Sequence, residues 1–369
     1  MGDGSAALGN GRYVSVPRRW ITIAGIAIWL ALSLYFLVPR LVSWSVLPDF
    51  TVFWAAGHVP NPYDTEAITA AQSFAVDPKH GDRPFPYPPP VLLVVLPFSL
   101  LPFWPAYWLW LAISAVAFWT AARQVVPRSA ALLALAAPHT VLVFILGQST
   151  LIVGALVIWG LALVRERPMA GGVLLGLATA IKPQMAFMAP LAFLSGRHWT
   201  ALGGYCLGLG TAVVVSLPFG LWDDWFSVLN SFAPPEAYGA TPAIAAKTLR
   251  LPVLPVQIVG AVAGIWVIWT GFKREDIDAR LLAFVSASLL VSPYAMRYDL
   301  AVLSPVFAAA LLSGRILVAA PAFMLHSISI VPSLFVSLLA NHVLDRAPSR
   351  LRTALRPGNS RGTGISELS

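Results

Sequence analysis

A chain of 369 residues that is 58% hydrophobic and only 11% charged, with a mean hydropathy of +0.75, cannot be an ordinary soluble domain and reads as a polytopic helical membrane protein. The formal net charge of +8 does not point to nucleic acid, because the Lys and Arg residues fall in short gaps between apolar runs rather than along a stripe interleaved with aromatics. The single cysteine, Cys206, excludes a disulfide framework and a cysteine-based metal site, and its apolar setting predicts a buried small hydrophobe.

Residues 1–19 carry Arg12, Arg18 and Arg19 ahead of the apolar run 20–38, which is longer than a signal-peptide core and is followed by no small-residue cleavage pattern. This predicts a cytoplasmic N-terminal segment and a retained first helix. A polar interval over residues 40–87 follows, and then apolar runs over 91–122, 130–146, 151–164, 169–181, 184–194, 200–219, 253–272, 281–291, 300–312 and 316–340. A hydrocarbon core about 30 Å thick needs about 20 helical residues, so the short runs on either side of Lys182-Pro183 read as a broken pair of half-depth helices lining a cavity. Run 91–122, interrupted by Pro97, Pro102 and Pro105, is either a re-entrant piece plus a span or two spans. The expected fold is all-α, with about 10–13 transmembrane or half-depth helices in one integral domain over residues 20–345. Residues 346–369, rich in Ser, Arg, Gly and Pro, read as a basic, disordered cytoplasmic tail. Between spans, 221–229 has aromatics spaced for a short interfacial helix, ended by Pro234-Pro235.

The bases collect in the N-terminal segment, at Arg123 with Arg128, Arg165 with Arg167, Arg197, Lys273-Arg274 with Arg280, Arg315, and in the tail, which assigns those ends to the cytoplasm. Residues 40–87 instead hold five acids (Asp49, Asp64, Glu66, Asp77, Asp82) against three bases (Arg40, Lys79, Arg83), which suits the opposite face. The same alternation brings Gly147-Gln148-Ser149, Lys182-Pro183, residues 220–250 and residues 292–299 toward that outer face. The polar groups of the membrane zone are therefore expected to converge on the side of Asp49.

Several short motifs then occur in order: Pro48-Asp49-Phe50 shortly after the first span, Asn61-Pro62-Tyr63, Phe85-Pro86-Tyr87-Pro88-Pro89, Gly147-Gln148, the stretch from Gly176 through Lys182-Pro183, and Ser292-Pro293. Together they resemble glycosyltransferase family 87. The resemblance implies the GT-C membrane fold, a polyprenyl-phosphate-linked sugar donor such as mannose, and a catalytic Asp in the first extracytoplasmic loop, which falls on Asp49. Mannosyltransferases of the family carry a His downstream of the Ser-Pro; this chain reads Ala295-Met296-Arg297-Tyr298-Asp299 there instead.

The residues support such chemistry independently of the resemblance. Sugar transfer from a polyprenyl phosphate needs a base for the acceptor hydroxyl, for which Asp49 is the candidate, and cationic or hydrogen-bonding groups for the leaving phosphate. Lys182 stands in an otherwise apolar stretch where an unpaired charge costs roughly 2.5–3.5 kcal/mol, so it needs an anionic partner, and the leaving phosphate is the expected one. The alternative is a lysine snorkelling to the headgroups. Arg297 and Asp299 either pair with one another at a span end or, with Tyr298, bind substrate. Gln148 can donate to a sugar hydroxyl or simply occupy a turn, His58 and Asp64 either shape the pocket of Asp49 or are solvated loop residues, and Tyr87, like Trp54, is either an interfacial anchor or a sugar-stacking platform. Asp223-Asp224 could imitate a metal-binding acidic pair, but the surrounding aromatics read better as a membrane-surface helix, and neither metal nor other cofactor is expected. The expected partners are the polyprenyl-phosphate sugar, a lipid or glycan acceptor and membrane lipids, with inversion at the sugar and no nucleic acid. A secondary transporter or flippase is the competing class, since broken helices and an intramembrane Lys also suit it, and a structural subunit is a third.

Overall fold

A computed structural model describes residues 18–43, 49–75, 83–231 and 239–346. Residues 1–17 of the expected N-terminal segment, Pro48, Asp77, Lys79, Asp82, Pro234-Pro235 and the expected tail beyond Arg346 lie outside them. In chain order the helices are α1 (Arg18–Ser43), α2 (Phe50–Ala55), α3 (Thr65–Ser73), α4 (Val91–Ser99), α5 (Phe103–Ala122), α6 (Arg128–Leu135), α7 (Pro138–Leu146), α8 (Thr150–Leu163), α9 (Pro168–Ile181), α10 (Ala189–Gly196), α11 (Trp199–Ser216), α12 (Trp222–Ser231), α13 (Pro242–Thr248), α14 (Val253–Gly271), α15 (Ile277–Val291), α16 (Ser304–Leu312), α17 (Ile316–Ala319) and α18 (Ser327–Arg346). Among the described residues the sole extended pairing is an isolated bridge between Gly239 and Met296. The chain is an all-α membrane protein.

Four helices, α1, α5, α11 and α14, are long and apolar enough to cross a bilayer. α6 and α7 make a fifth if their 51° bend is counted within one span. Less than half of each of the four is buried in the protein. Their outward faces carry residues such as Trp108, Val116, Leu254, Val259, Val262 and Trp266. A surface this apolar is stable only against lipid. Cys206 belongs to it: rather than being buried, it is exposed on α11. Run 91–122 resolves into the nine-residue α4 and the 20-residue α5, because the chain breaks at Pro102, whose extended ψ of 148° cannot continue a helix.

Two antiparallel hairpins organise the interior. α8 runs from Thr150 to Leu163, the chain turns through Arg165 and Arg167, and α9 returns to Ile181. α14 likewise runs down to Gly271, the chain turns through Lys273 and Arg274, and α15 returns to Val291. One end of both hairpins is therefore basic. The other end holds Gln148, Lys182 and Ser292, so the convergence expected from charge bias is realised in space. The break at Lys182-Pro183 is real. α9 stops because Pro183 denies the helix its next donor, Lys182 turns extended (φ −144°, ψ 82°), and a 3-10 turn over Pro183–Met185 leads toward the eight-residue α10.

α9 is seated by glycines rather than by large side chains. Gly172 and Gly176 on α9 face Gly204 and Gly208 on α11, four residues apart in each helix. A Cβ at Gly172 would fall on the carbonyl of Ala201, one at Gly176 on that of Tyr205, one at Gly204 on that of Met169 and one at Gly208 on that of Val173. The two backbones touch, as small-xxx-small pairs allow in lipid, where apolar burial gives no drive for helices to associate. Alanine at Gly176 should accordingly destabilise the protein by about 1–3 kcal/mol, the usual cost of overpacking. Gly203→Ala on α11, where a new Cβ meets nothing within 4 Å, should be neutral. Thermal melts of the two variants in detergent check the contrast.

Candidate functional site

Asp49 stands at the start of α2, yet its side chain makes no capping bond. A carboxylate at a helix start ordinarily accepts from the N2 or N3 amide; here it points away. It forms an ion pair with Arg83, and its Oδ2 accepts a 2.6 Å hydrogen bond from Gln148 Nε2. Gln148 in turn accepts at Oε1 from the Tyr87 hydroxyl at 2.9 Å. The chain Arg83–Asp49–Gln148–Tyr87 joins the first loop to the α7–α8 turn. Asp49 and Arg83 keep side-chain exposures of 22% and 30%, so water reaches this pair.

Aromatic packing holds the carboxylate in place. Phe50 and Phe53, both fully buried, set α2 into a nest of Phe98, Phe103, Tyr107, Trp110 and Tyr87, with ring centroids 4.8–6.5 Å apart. The same rings tether the α7–α8 turn: the Trp110 indole donates to the Gly147 carbonyl at 2.9 Å and the Tyr107 hydroxyl to that of Phe144 at 2.8 Å. Gly147 ends α7 in the left-handed region (φ 66°), and a Cβ there would press on Phe50. This is why glycine precedes Gln148. Tyr87 is steadied by Tyr63, whose hydroxyl donates to its carbonyl at 2.7 Å.

Behind this pair lies a second, fully enclosed one. Lys182 Nζ lies 2.5 Å from Asp299 Oδ1 and donates to Thr150 Oγ1 at 2.8 Å, while Thr150 donates to Asp299 at 3.0 Å. The other oxygen of Asp299 accepts from the Met296 amide at 3.0 Å. Side-chain exposures are 3% for Lys182 and 0% for Asp299, and the ammonium lies 4.8 Å from the centre of the buried Tyr298 ring. The anionic partner of Lys182 in this structure is Asp299, and Asp299 does not pair with Arg297. Arg297 turns the other way, donating to the Leu325 carbonyl at 3.2 Å and lying over the Phe36 ring of α1.

His58 and Asp64 do not join the cluster. His58 is exposed, stacks on Trp54 and meets the Trp54 carbonyl at 3.0 Å, at the far end of the helical stretch that Asp49 begins. Asp64 caps α3, accepting from the amides of Glu66 and Ala67. Asp224 on α12 accepts from Asn61 at 3.0 Å, and the neighbouring Trp225 indole donates to the Pro86 carbonyl at 3.2 Å, so the exposed α12 is strapped over the first loop. Arg83 and Thr150 escaped the sequence reading. Arg83 counts there only as one base in an acidic interval, and Thr150 falls unmarked between Gly147-Gln148-Ser149 and the apolar run 151–164. A basic residue two positions before the Phe85-Pro86-Tyr87 motif was the available signal.

Burial raises the pKa of the Tyr87 hydroxyl well above its ordinary value, with the Tyr294 side chain the next cause, and burial followed by the Asp299 charge does the same for Tyr294. Both phenols stay protonated at neutral pH and serve as hydrogen-bond donors. The accessible carboxylate is then the group able to take a proton.

A model of glycosyltransferase family 87 matches residues 85–293, more than half of the chain. The match takes in Tyr87, Gln148, Thr150 and Lys182; Asp49 and Arg83 precede it and Asp299 follows it. No curated protein and no solved structure matches the chain. With a helical membrane scaffold around a water-accessible carboxylate, the chain belongs to glycosyltransferase family 87 and is a membrane glycosyltransferase.

Proposed function

We propose that this enzyme transfers a sugar, mannose in the first instance, from a polyprenyl phosphate to a lipid or glycan acceptor at the extracytoplasmic face, on a GT-C-type scaffold. The observation that carries the reading is the Asp49 carboxylate. It is released from helix capping, held by Gln148 and Arg83, and left open to solvent at the end of the bundle opposite the basic turns. The positive-inside bias orients that end away from the cytoplasm. A lipid-linked donor suits an active end lying against apolar helices, and water-soluble nucleotide sugars are not expected to replace it.

In this reading Asp49 accepts the proton of the acceptor hydroxyl as its oxygen bonds to the anomeric carbon from the side opposite the phosphate. The bond from that carbon to the phosphate oxygen breaks, and the electron pair leaves with the polyprenyl phosphate. A β-linked donor gives an α-linked product. Arg83 is the cation within reach of the departing phosphate, and the phenol of Tyr87 holds the Gln148 amide toward Asp49. Lys182 and Asp299 support the site from behind as a neutral pair. A transporter reading would want polar groups reachable from both ends, whereas these gather at one.

Two measurements bear on the assignment. Asp49→Asn preserves shape but cannot accept the proton, so turnover with polyprenyl-phosphate mannose should fall about 10²-fold or more at unchanged melting temperature. Near-normal turnover in a folded preparation would remove Asp49 from catalysis. Lys182→Met leaves the buried Asp299 charge without its partner and should cost about 3–5 kcal/mol of stability. Adding Asp299→Asn should restore much of the loss, with donor affinity retained. A stable double variant that no longer binds donor would instead return Lys182 to the phosphate.

A further inference from the structure

Arg280 lies at the opposite end of the bundle from Asp49. It falls in the first turns of α15, where every residue from Ala279 to Leu290 is buried, and its own exposure is 4%. Its Nε and Nη1 are enclosed and have no hydrogen-bond partner. An arginine cannot shed its charge as a lysine can, so a buried guanidinium with idle donors is costly unless something anionic completes it. The acid two positions earlier does not: Asp278 accepts from the Ala279 amide and lies 3.8 Å from Arg315.

The neighbours of Arg280 add positive charge. Arg165, in the α8–α9 turn, donates through Nη2 to the Arg274 carbonyl at 2.8 Å and so ties the basic ends of the two hairpins together. His198, between α10 and α11, is half-buried against the edge of Phe272, with centroids 5.9 Å apart. Burial and then the charges of Arg165 and Arg280 hold its imidazole below the ordinary pKa. At neutral pH it is an uncharged donor beside two guanidinium groups. Such a gathering repels itself when empty and is stabilised by an anion.

We propose that Arg280, with Arg165 and His198 beside it, forms a binding site for a phosphate-bearing anion at the basic end of the bundle. The planar fork of a guanidinium matches two phosphate oxygens at once. The phosphate can come from an acidic phospholipid headgroup in the leaflet that the basic turns face, or from free phosphate in the adjoining water. The site is separate from the transfer reaction and does not depend on its assignment.

Thermal unfolding of the full-length protein in phosphate-free detergent tests this. The protein is titrated in parallel with short-chain phosphatidylglycerol, with phosphatidylcholine as the zwitterionic control, and with inorganic phosphate against chloride at equal ionic strength. The expected result is a saturable rise in melting temperature with an anionic phosphate ligand. The half-saturating concentration should increase about tenfold or more in Arg280→Gln, and likewise in Arg165→Gln, as expected for loss of a charge-assisted hydrogen bond. Arg165 is exposed, so its variant keeps the test available if Arg280→Gln fails to fold. A response to phosphatidylglycerol alone identifies a lipid headgroup, and a response to inorganic phosphate identifies a free anion. The proposal is overturned if neither ligand stabilises the protein beyond its control, or if both variants titrate like the wild type.

Discussion

The burial of Lys182 against Asp299 sets the arrangement of the end of the bundle that holds Asp49. A lysine this deep is tolerable only with a partner at hydrogen-bond distance, and that partner comes from the 3-10 turn Arg297–Leu303, more than a hundred residues away in sequence. Closing the pair pins the end of α9 to the start of α8 through Thr150, and to the Met296 amide through the second carboxylate oxygen. Gln148 lies two residues before Thr150. Its amide can therefore reach Asp49 only because the α7–α8 turn is held from both sides, by the ion pair beneath and by the indole of Trp110 above.

Two kinds of packing deliver these residues to one place. Where α9 must approach α11 closely, glycine faces glycine and backbone meets backbone, which fixes the depth at which Lys182 emerges. Where the short α2 must be held with little helix of its own, aromatic rings do it, with Phe50 and Phe53 each contacting several others. A six-residue helix has no independent stability, and its position is set by the side chains it buries. The carboxylate at its start inherits that rigidity.

Much of this was legible in the sequence because a bilayer permits few alternatives. Composition requires helices, run lengths require half-depth pieces, and the placement of Arg and Lys separates a basic end of the bundle from the other. The break at Lys182-Pro183 and the gathering of Gln148, Lys182 and Asp299 near Asp49 follow from those constraints. Side-chain partners do not. Nothing local distinguishes Asp299 pairing with Lys182 from Asp299 pairing with Arg297, since both cations lie on the same side and only the direction of the 3-10 turn separates them. Asp64 and His58 are close to Asp49 in sequence but are drawn off by the nearest backbone groups, one to cap α3 and one to the Trp54 carbonyl. Cys206 misled for a related reason: in a membrane protein an apolar stretch says lipid or core without saying which.

The charge balance of the active end bears on how a donor is received. Lys182 with Asp299 and Arg83 with Asp49 are each neutral pairs, and the buried phenols of Tyr87 and Tyr294 stay protonated, so in the proposed reaction an arriving phosphate would bring uncompensated negative charge. In the proposed reaction it draws on Lys182 or Arg83, the cations of these two pairs. Breaking the enclosed pair leaves a buried charge exposed to nothing, at about 3–5 kcal/mol, whereas a solvent-accessible pair contributes about 0–1 kcal/mol and its partners can be solvated as they part. In the proposed reaction the phosphate therefore competes for Arg83. In the proposed reaction the guanidinium that rests on Asp49 would turn toward the donor, leaving the carboxylate to the acceptor hydroxyl with Gln148 still holding its orientation. In the proposed reaction, occupancy of the donor site and release of the carboxylate would then be coupled through one ion pair, which accounts for the proposed base resting against a guanidinium.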